Sequence, residues 1–133
     1  MFDTARHSEL VDAVFGLAPV IPVLAIDRIE DALPLCRALA DNGLPVLEIT
    51  LRTACALDAI ALVARELPHA CVGAGTVSSA TDLANVADAG ARLAAGRIRE
   101  RGWQAIAAGL IGRQRPFGAA LGIGGQGLRA DRC

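Results

Sequence analysis

Two hydrophobic periods alternate along residues 1–95. Short apolar runs bounded by turn residues predict buried strands, and the stretches between them place apolar residues on one face of a helix. The predicted strands are residues 22–26, 46–51, 71–76 and 91–95, and the predicted helices are residues 8–17, 29–41, 53–66 and 79–89. This alternation with short connections predicts an α/β fold whose parallel strands are joined by right-handed crossovers. Repeat units of roughly 22 to 25 residues favour a (β/α) barrel.

Polar residues beside these runs predict where the helices begin and end. Asp27, Thr53 and Ser78 are expected to cap the three later helices, because a side-chain oxygen there can accept a hydrogen bond from a free backbone amide. Asn42-Gly43 and Gly90 are expected to end the first and the third of these helices.

The strand predicted at residues 46–51 carries polar residues at alternate positions. Glu48, Thr50 and Arg52 point one way, while leucine and isoleucine point the other. A carboxylate and a guanidinium directed into one interior are costly to bury without a function, and a guanidinium can bind a carboxylate ligand with two hydrogen bonds. Glu48 and Arg52 are therefore candidates for a catalytic or ligand site. A simple buried ion pair between them is the alternative.

A second candidate lies at the end of the next predicted strand, in Gly73-Ala74-Gly75-Thr76. Two glycines would let the backbone approach a ligand closely, and Thr76 offers a hydroxyl group at the strand end. The alternative is that the glycines pack beneath a helix and the threonine begins a loop.

The amino-acid composition limits the reactions and ligands that this chain can support. All 13 basic residues are arginine, so no side-chain amine is available. A net charge of −1 argues against a nucleic-acid or membrane partner for the chain as a whole. The four cysteines have no C-x-x-C spacing and are expected to be small buried residues, and the two histidines lack metal-ligand partners, so no metal or cofactor is expected. With no signal-peptide core at the start, we expect a soluble cytoplasmic protein.

The composition changes at residue 97. Residues 1–96 hold six arginines and twelve acidic residues, whereas residues 97–133 hold seven arginines, two acidic residues and eight of the 14 glycines. We expect a domain over 1–96 and a poorly ordered Arg/Gly-rich tail over 97–133, with a short helix conceivable around 101–111. A change of reading frame near codon 96 of a GC-rich gene is one hypothesis for the tail. A G-x-G-x-x-G match at 122–127 is set aside, since too few residues follow it to form the helix it requires.

Three blocks carry a family resemblance: IPVLAI at 21–26, PVLEITLRT at 45–53 and VGAGTV at 72–77. In this order, on three successive predicted strands, they resemble the 2-keto-3-deoxy-6-phosphogluconate (KDPG) and 4-hydroxy-2-oxoglutarate (KHG) aldolases. The resemblance implies a class I aldolase, a lyase that forms homotrimers of (β/α)₈ barrels. Such enzymes cleave a 2-keto-3-deoxy sugar acid phosphate to pyruvate and an aldehyde through a Schiff base. By matching motif, Glu48 would be the general acid/base, and Arg52 and Thr76 would hold the pyruvate carboxylate.

The resemblance covers only the first half of a barrel. The family's Schiff-base lysine lies on a later strand that this chain does not show, so the chain is expected to be an incomplete barrel of about four βα units, inactive alone. Open strand edges and an uncovered inner face predict a poorly soluble, dynamic or oligomerising species. The alternative is a non-catalytic α/β remnant that binds a small carboxylate or a protein partner. A metal-dependent class II aldolase is disfavoured, because no His/Asp/Glu cluster offers a coordination sphere.

Overall fold

A computed structural model describes Asp12, residues 16–96 and the backbone of residues 106–107. Strands and helices alternate through this part of the chain. In order they are β1 (Val23–Leu24), α1 (Ile29–Asp41), β2 (Val46–Thr50), α2 (Ala56–Glu66), β3 (Cys71–Val77), α3 (Ala80–Asp88), β4 (Leu93–Gly96) and β5 (Ile106–Ala107). The predicted α/β alternation is confirmed, although β1 is shorter than its apolar run.

The strands form one sheet in the order β1-β2-β3-β4-β5. β1 to β4 are parallel, and β5 pairs with β4 in the antiparallel direction. The register aligns Val23 with Glu48, Glu48 with Gly73, and Gly73 with Leu93. Paired residues face the same side of a sheet, so these four share one face. The parallel sheet is what an incomplete (β/α) barrel requires.

The three helices cover the opposite face of this sheet. Ile49 and Ala74 are fully buried there, in one cluster with Cys36, Ile60 and Val86 of the three helices. The uncovered face is different, since the side chain of Val23 is 60% exposed. The predicted contrast between a covered outer face and an open inner face is therefore present along β1.

Helix α1 differs from the prediction at its N-terminal end and agrees with it at its C-terminal end. Its N-cap is Arg28, with no side-chain cap hydrogen bond, so the prediction of an Asp27 cap is wrong. Glu30 and Asp31 in the first turn place negative charge at the positive end of the helix dipole instead. The predicted stop is confirmed: Asn42 is the C-cap, and Gly43 follows with a φ of 92°. Glycine adopts that left-handed conformation without steric cost.

The predicted caps of the next two helices are also corrected. Helix α2 has Cys55 at its N-cap, while Thr53 donates its hydroxyl to the Ile26 carbonyl at 2.5 Å and so ties the loop after β2 to the chain after β1. Helix α3 is capped by Ser79, not Ser78. Ser79 is selected locally, because its side chain and that of Asp82 each accept a hydrogen bond from the other's backbone amide.

Several sequence predictions fall on other parts of the chain. Most of the predicted leading helix lies outside the described residues; Asp12 is helical, and its carbonyl accepts a hydrogen bond from the Gly16 amide at 2.9 Å. The helix considered around 101–111 is wrong at Ile106–Ala107, which extend along β4 because that edge offers backbone partners. The rest of 97–133 also lies outside the described residues. Cys71 is disulfide-bonded, which corrects the expectation for that cysteine, since sequence spacing does not reveal tertiary proximity.

Candidate functional site

Glu48 lies in the middle of β2, on the sheet face opposite helices α1 to α3. Its side chain is half-buried, unlike its fully buried neighbours Leu47 and Ile49 on the helix-covered face. The carboxyl group lies directly over Gly75 of β3: a methyl group built on Gly75 would lie 2.9 Å from Cδ and 3.1 Å from Cγ of Glu48, and closer still to Oε1. The acid is thus seated against the backbone of the neighbouring strand.

Two opposed effects act on this carboxyl group. Burial raises the pKa of Glu48 above its ordinary value of 4.5, and the positive charge of Arg52 lowers it. Burial is the larger effect, so the net shift is upward. The sequence alone does not show which of these two effects on the pKa is larger. A carboxyl group with a raised pKa can hold or release a proton closer to neutral pH than an ordinary glutamate.

Arg52 lies in the turn just after β2, and its side chain is exposed. The hydrogen bond from the Leu51 amide to the Gly75 carbonyl, 2.9 Å long, keeps the ends of β2 and β3 together immediately before it. Within the described part of the chain, Arg52 forms no salt bridge with Glu48. The alternative of a simple buried ion pair is therefore wrong, and the guanidinium is open to solvent at the edge where the strands end.

Thr76 occupies a β-bulge. The pairing of β3 with β4 shifts between Ala74 and Val77, so that β3 spans one residue more than the facing segment of β4. Thr76 has a φ of 63°, and it is the one non-glycine residue with a positive φ among those described. A β-branched residue is strained in this conformation, and such strain tends to be retained at functional sites. The bulge leaves the Thr76 side chain exposed.

Arg52 and Thr76 therefore lie at the carboxyl ends of two adjacent parallel strands, and the Glu48 carboxyl extends from the middle of β2 to Gly75, next to Thr76. We call these three residues the strand-end site. In barrel enzymes, chemistry takes place at this edge of the sheet. Thr50, on the same face, is 2% exposed and donates its hydroxyl to the Leu24 carbonyl at 3.0 Å, so it links β2 to β1.

Sequence reasoning missed one member of this arrangement. The two glycines of β3 were expected either to admit a ligand or to pack beneath a helix. They lie on the sheet face opposite the helices, so the second expectation is wrong, and the first stays a prediction. Gly75 makes room for the Glu48 carboxyl, and Gly73 makes room for Leu93 of β4. The available signal was the matching alternation of Glu48 and Thr50 on one strand with Gly73 and Gly75 on the next. It becomes informative only once the register of the two strands is known.

Two further features of the described residues bear on the kind of site. No group of three or more His, Cys, Asp or Glu side chains among them is arranged to hold a metal ion. None of the helices in residues 16–96 is long and apolar enough to cross a membrane.

Comparison with known proteins gives relatives for the same part of the chain. The KHG/KDPG aldolase of Escherichia coli K12 is 47% identical over 83 residues, which cover 62% of this chain and 39% of that enzyme. The 2-dehydro-3-deoxy-phosphogluconate aldolase of Zymomonas mobilis is 54% identical over 80 residues, covering 60% of this chain and 38% of the enzyme. The chain thus spans about two fifths of the length of the curated relatives that it matches.

Solved structures of aldolases superimpose on a large part of this chain. The 2-keto-3-deoxy-6-phosphogluconate aldolase of Zymomonas mobilis ATCC 29191 superimposes with a TM-score of 0.62 at 50% identity, over 65% of this chain and 41% of that chain. The KDPG aldolase of Legionella pneumophila, with pyruvate captured as a covalent carbinolamine intermediate, gives a TM-score of 0.63 at 45% identity, over 67% and 43%. The family model for KDPG and KHG aldolases matches residues 11–96, well over half of the chain. This chain belongs to the KDPG and KHG aldolase family.

Proposed function

We propose that residues 1–96 carry part of the active site of a KDPG-type aldolase, a lyase that forms pyruvate and an aldehyde from a 2-keto-3-deoxy sugar acid phosphate. In this proposal Glu48 is the general acid/base, and Arg52 and Thr76 bind the carboxylate of the pyruvate portion. Residues 97–133 are proposed to have no role in this chemistry.

The observation that carries the proposal is the half-buried Glu48 carboxyl beside an exposed guanidinium at the strand ends. Burial favours the protonated form of the acid, which suits proton transfer during carbon–carbon bond cleavage. Arg52 has no salt-bridge partner among the described residues, so it can give a carboxylate two parallel hydrogen bonds. The Legionella relative, captured with pyruvate, supports pyruvate as the ligand to test.

The chain alone is proposed not to complete the reaction. A Schiff base forms when an amine attacks the keto carbon and water leaves, and this sequence contains no lysine. The family's homotrimer is proposed for a complete enzyme, and cytoplasm as its compartment. Absence of lysine also favours a second candidate, a non-catalytic remnant that binds a small carboxylate or a protein partner through the same residues.

Pyruvate titration, followed by NMR of the full chain, tests the binding part of this proposal. We expect R52Q to weaken pyruvate binding about tenfold or more, because a charge-assisted pair is worth about 1.5–3 kcal/mol. R65Q is the matched control, since Arg65 is also exposed but pairs with Glu66 in the last turn of α2, before β3 begins. Equal binding by the wild type and R52Q would overturn the role of Arg52.

Turnover separates the two candidates. The pure chain is mixed with KDPG, and pyruvate release is measured with a coupled dehydrogenase. Pyruvate binding that depends on Arg52, without turnover even when cell extract is added, would favour the binding remnant. Pyruvate release that appears when a lysine-containing polypeptide is added would favour the lyase.

A further inference from the structure

The inference concerns Gly75, and it rests on the proposed role of Glu48. Strands β2 and β3 are in parallel register, with Glu48 opposite Gly73 and Thr50 opposite Gly75. The Glu48 side chain extends along the sheet face toward the strand ends, where its carboxyl group covers Gly75. Residue 75 is thus the position on β3 that decides whether this carboxyl has room.

The space at Gly75 is occupied by the side chain of Glu48. The three atoms nearest to a methyl group at this position all belong to Glu48: Oε1, Cδ and Cγ. The last two would lie at 2.9 and 3.1 Å, which is closer than carbon atoms pack. Gly75 does not have a positive φ, so its backbone could accept alanine. Its lack of a side chain is therefore not required by the backbone conformation.

We propose that Gly75 is a positioning residue. Because it has no side chain, the Glu48 carboxyl can lie against β3, between the buried part of the sheet and the exposed end of the strand. A side chain at residue 75 would push the carboxyl outward, because the acid is the flexible partner and the strand backbone is not. The orientation of the proposed acid/base would then be lost while the sheet stays intact.

Gly73 provides a matched comparison on the same strand and the same face. A methyl group there would lie 2.6 Å from Cγ of Leu93 and closer to its Cδ1, and its three nearest atoms all belong to Leu93. G75A and G73A are thus the same chemical change at neighbouring positions. G75A displaces a carboxyl group, and G73A displaces an apolar side chain.

The test is the titration of the Glu48 carboxyl by carbon-13 NMR in the full, ligand-free chain labelled at glutamate. E48Q assigns the signal. In the wild type, burial raises this pKa, and Arg52 is the charged group that opposes the effect. We expect G75A to shift the titration midpoint of Glu48 downward, toward the ordinary glutamate value, because the displaced carboxyl gains solvent. G73A should leave the midpoint in place. An unchanged midpoint in folded G75A would overturn the proposal.

A second comparison covers the case in which G75A folds poorly. E48A removes Cγ, Cδ and Oε1 of Glu48, which are the three atoms nearest to a methyl group at residue 75. We expect the loss in urea midpoint caused by G75A to shrink by about half or more in the E48A background. The same loss in both backgrounds would contradict the proposal. Neither readout uses pyruvate, so failure here is distinguishable from failure of pyruvate binding in the wild type.

Discussion

Glu48 contributes to the pH dependence of this protein's stability. Its pKa is raised in the folded chain, mainly by burial, so folding favours the protonated form. The stabilising contribution of the protonated acid is fully present below the unfolded value near 4.5, and it is lost as pH rises through the raised folded pKa. Above that point the folded chain holds a partly desolvated charge.

The E48Q variant should therefore gain stability relative to the wild type as pH rises. Glutamine keeps the shape of the side chain and cannot ionise, so the difference should be smallest near pH 4 and largest near pH 7. Urea unfolding followed by circular dichroism across that range measures it. E66Q is the control, since Glu66 lies exposed at the end of α2. A difference between E48Q and the wild type that does not vary with pH would contradict the raised pKa.

Thr76 offers a second test at the residue scale. Its φ of 63° is strained for threonine, and glycine removes the strain at a smaller entropic cost. We expect T76G to raise the free energy of unfolding by about 1 kcal/mol while pyruvate binding weakens, because the hydroxyl is lost. T50G, at a buried position with ordinary strand geometry, should destabilise the chain. Loss of stability in T76G would show that the bulge does not strain Thr76.

At the scale of the elements, the beginning of α3 is held by a reciprocal cap. The Ser79 hydroxyl accepts a hydrogen bond from the Asp82 amide at 3.0 Å, and the Asp82 carboxylate accepts one from the Ser79 amide at 3.1 Å. The same carboxylate also accepts bonds from the amide and the hydroxyl of Ser78. These bonds lower the pKa of Asp82, with those from Ser78 contributing most.

Replacing the cap should cost measurable stability. We expect S79A to lower the free energy of unfolding by about 1 kcal/mol, because an orphan amide at the helix start loses its acceptor. S78A is the matched control and should cost less, since its exposed hydroxyl is a donor to Asp82 and caps no amide. Urea unfolding of the two variants side by side measures the difference. A larger loss in S78A would return the cap to the residue that the sequence favoured.

The strands and helices could be predicted from the sequence because their signal is local. Apolar runs located β2 and β3 within one residue, and helical spacing located α1 at its observed bounds. The use of Thr53 to bond Ile26 could not be predicted, because it depends on tertiary position. The Ser79 cap had a local signal that the prediction missed, since Asp82 lies three residues later, at the spacing of a reciprocal cap. The position of the Glu48 carboxyl over Gly75 depends on the strand register, which no local sequence pattern determines.

At the scale of the whole molecule, the described sheet leaves β1 at an edge, with no strand on its other side among the described residues. Val23 on this strand and Val20 before it are 60% and 59% exposed. Exposed apolar residues at an unpaired edge favour pairing with another chain.

Self-association should therefore depend on this edge. We expect sedimentation of the full chain to show concentration-dependent oligomers, and V23T to reduce their fraction. L35T is the control, because Leu35 is also an exposed apolar side chain, 41% accessible, but lies on α1. A soluble monomer with a sharp unfolding transition at every concentration would contradict the expected association.

We propose that this aldolase-family chain binds the keto acid but has no side-chain amine with which to form a Schiff base. The test is borohydride reduction in the presence of pyruvate, followed by peptide mass spectrometry, with the Legionella KDPG aldolase as the positive control. We predict pyruvate-dependent NMR shifts at Arg52 and Thr76 and no reduced pyruvate adduct on any internal peptide. An adduct on an internal peptide of this chain would contradict the account.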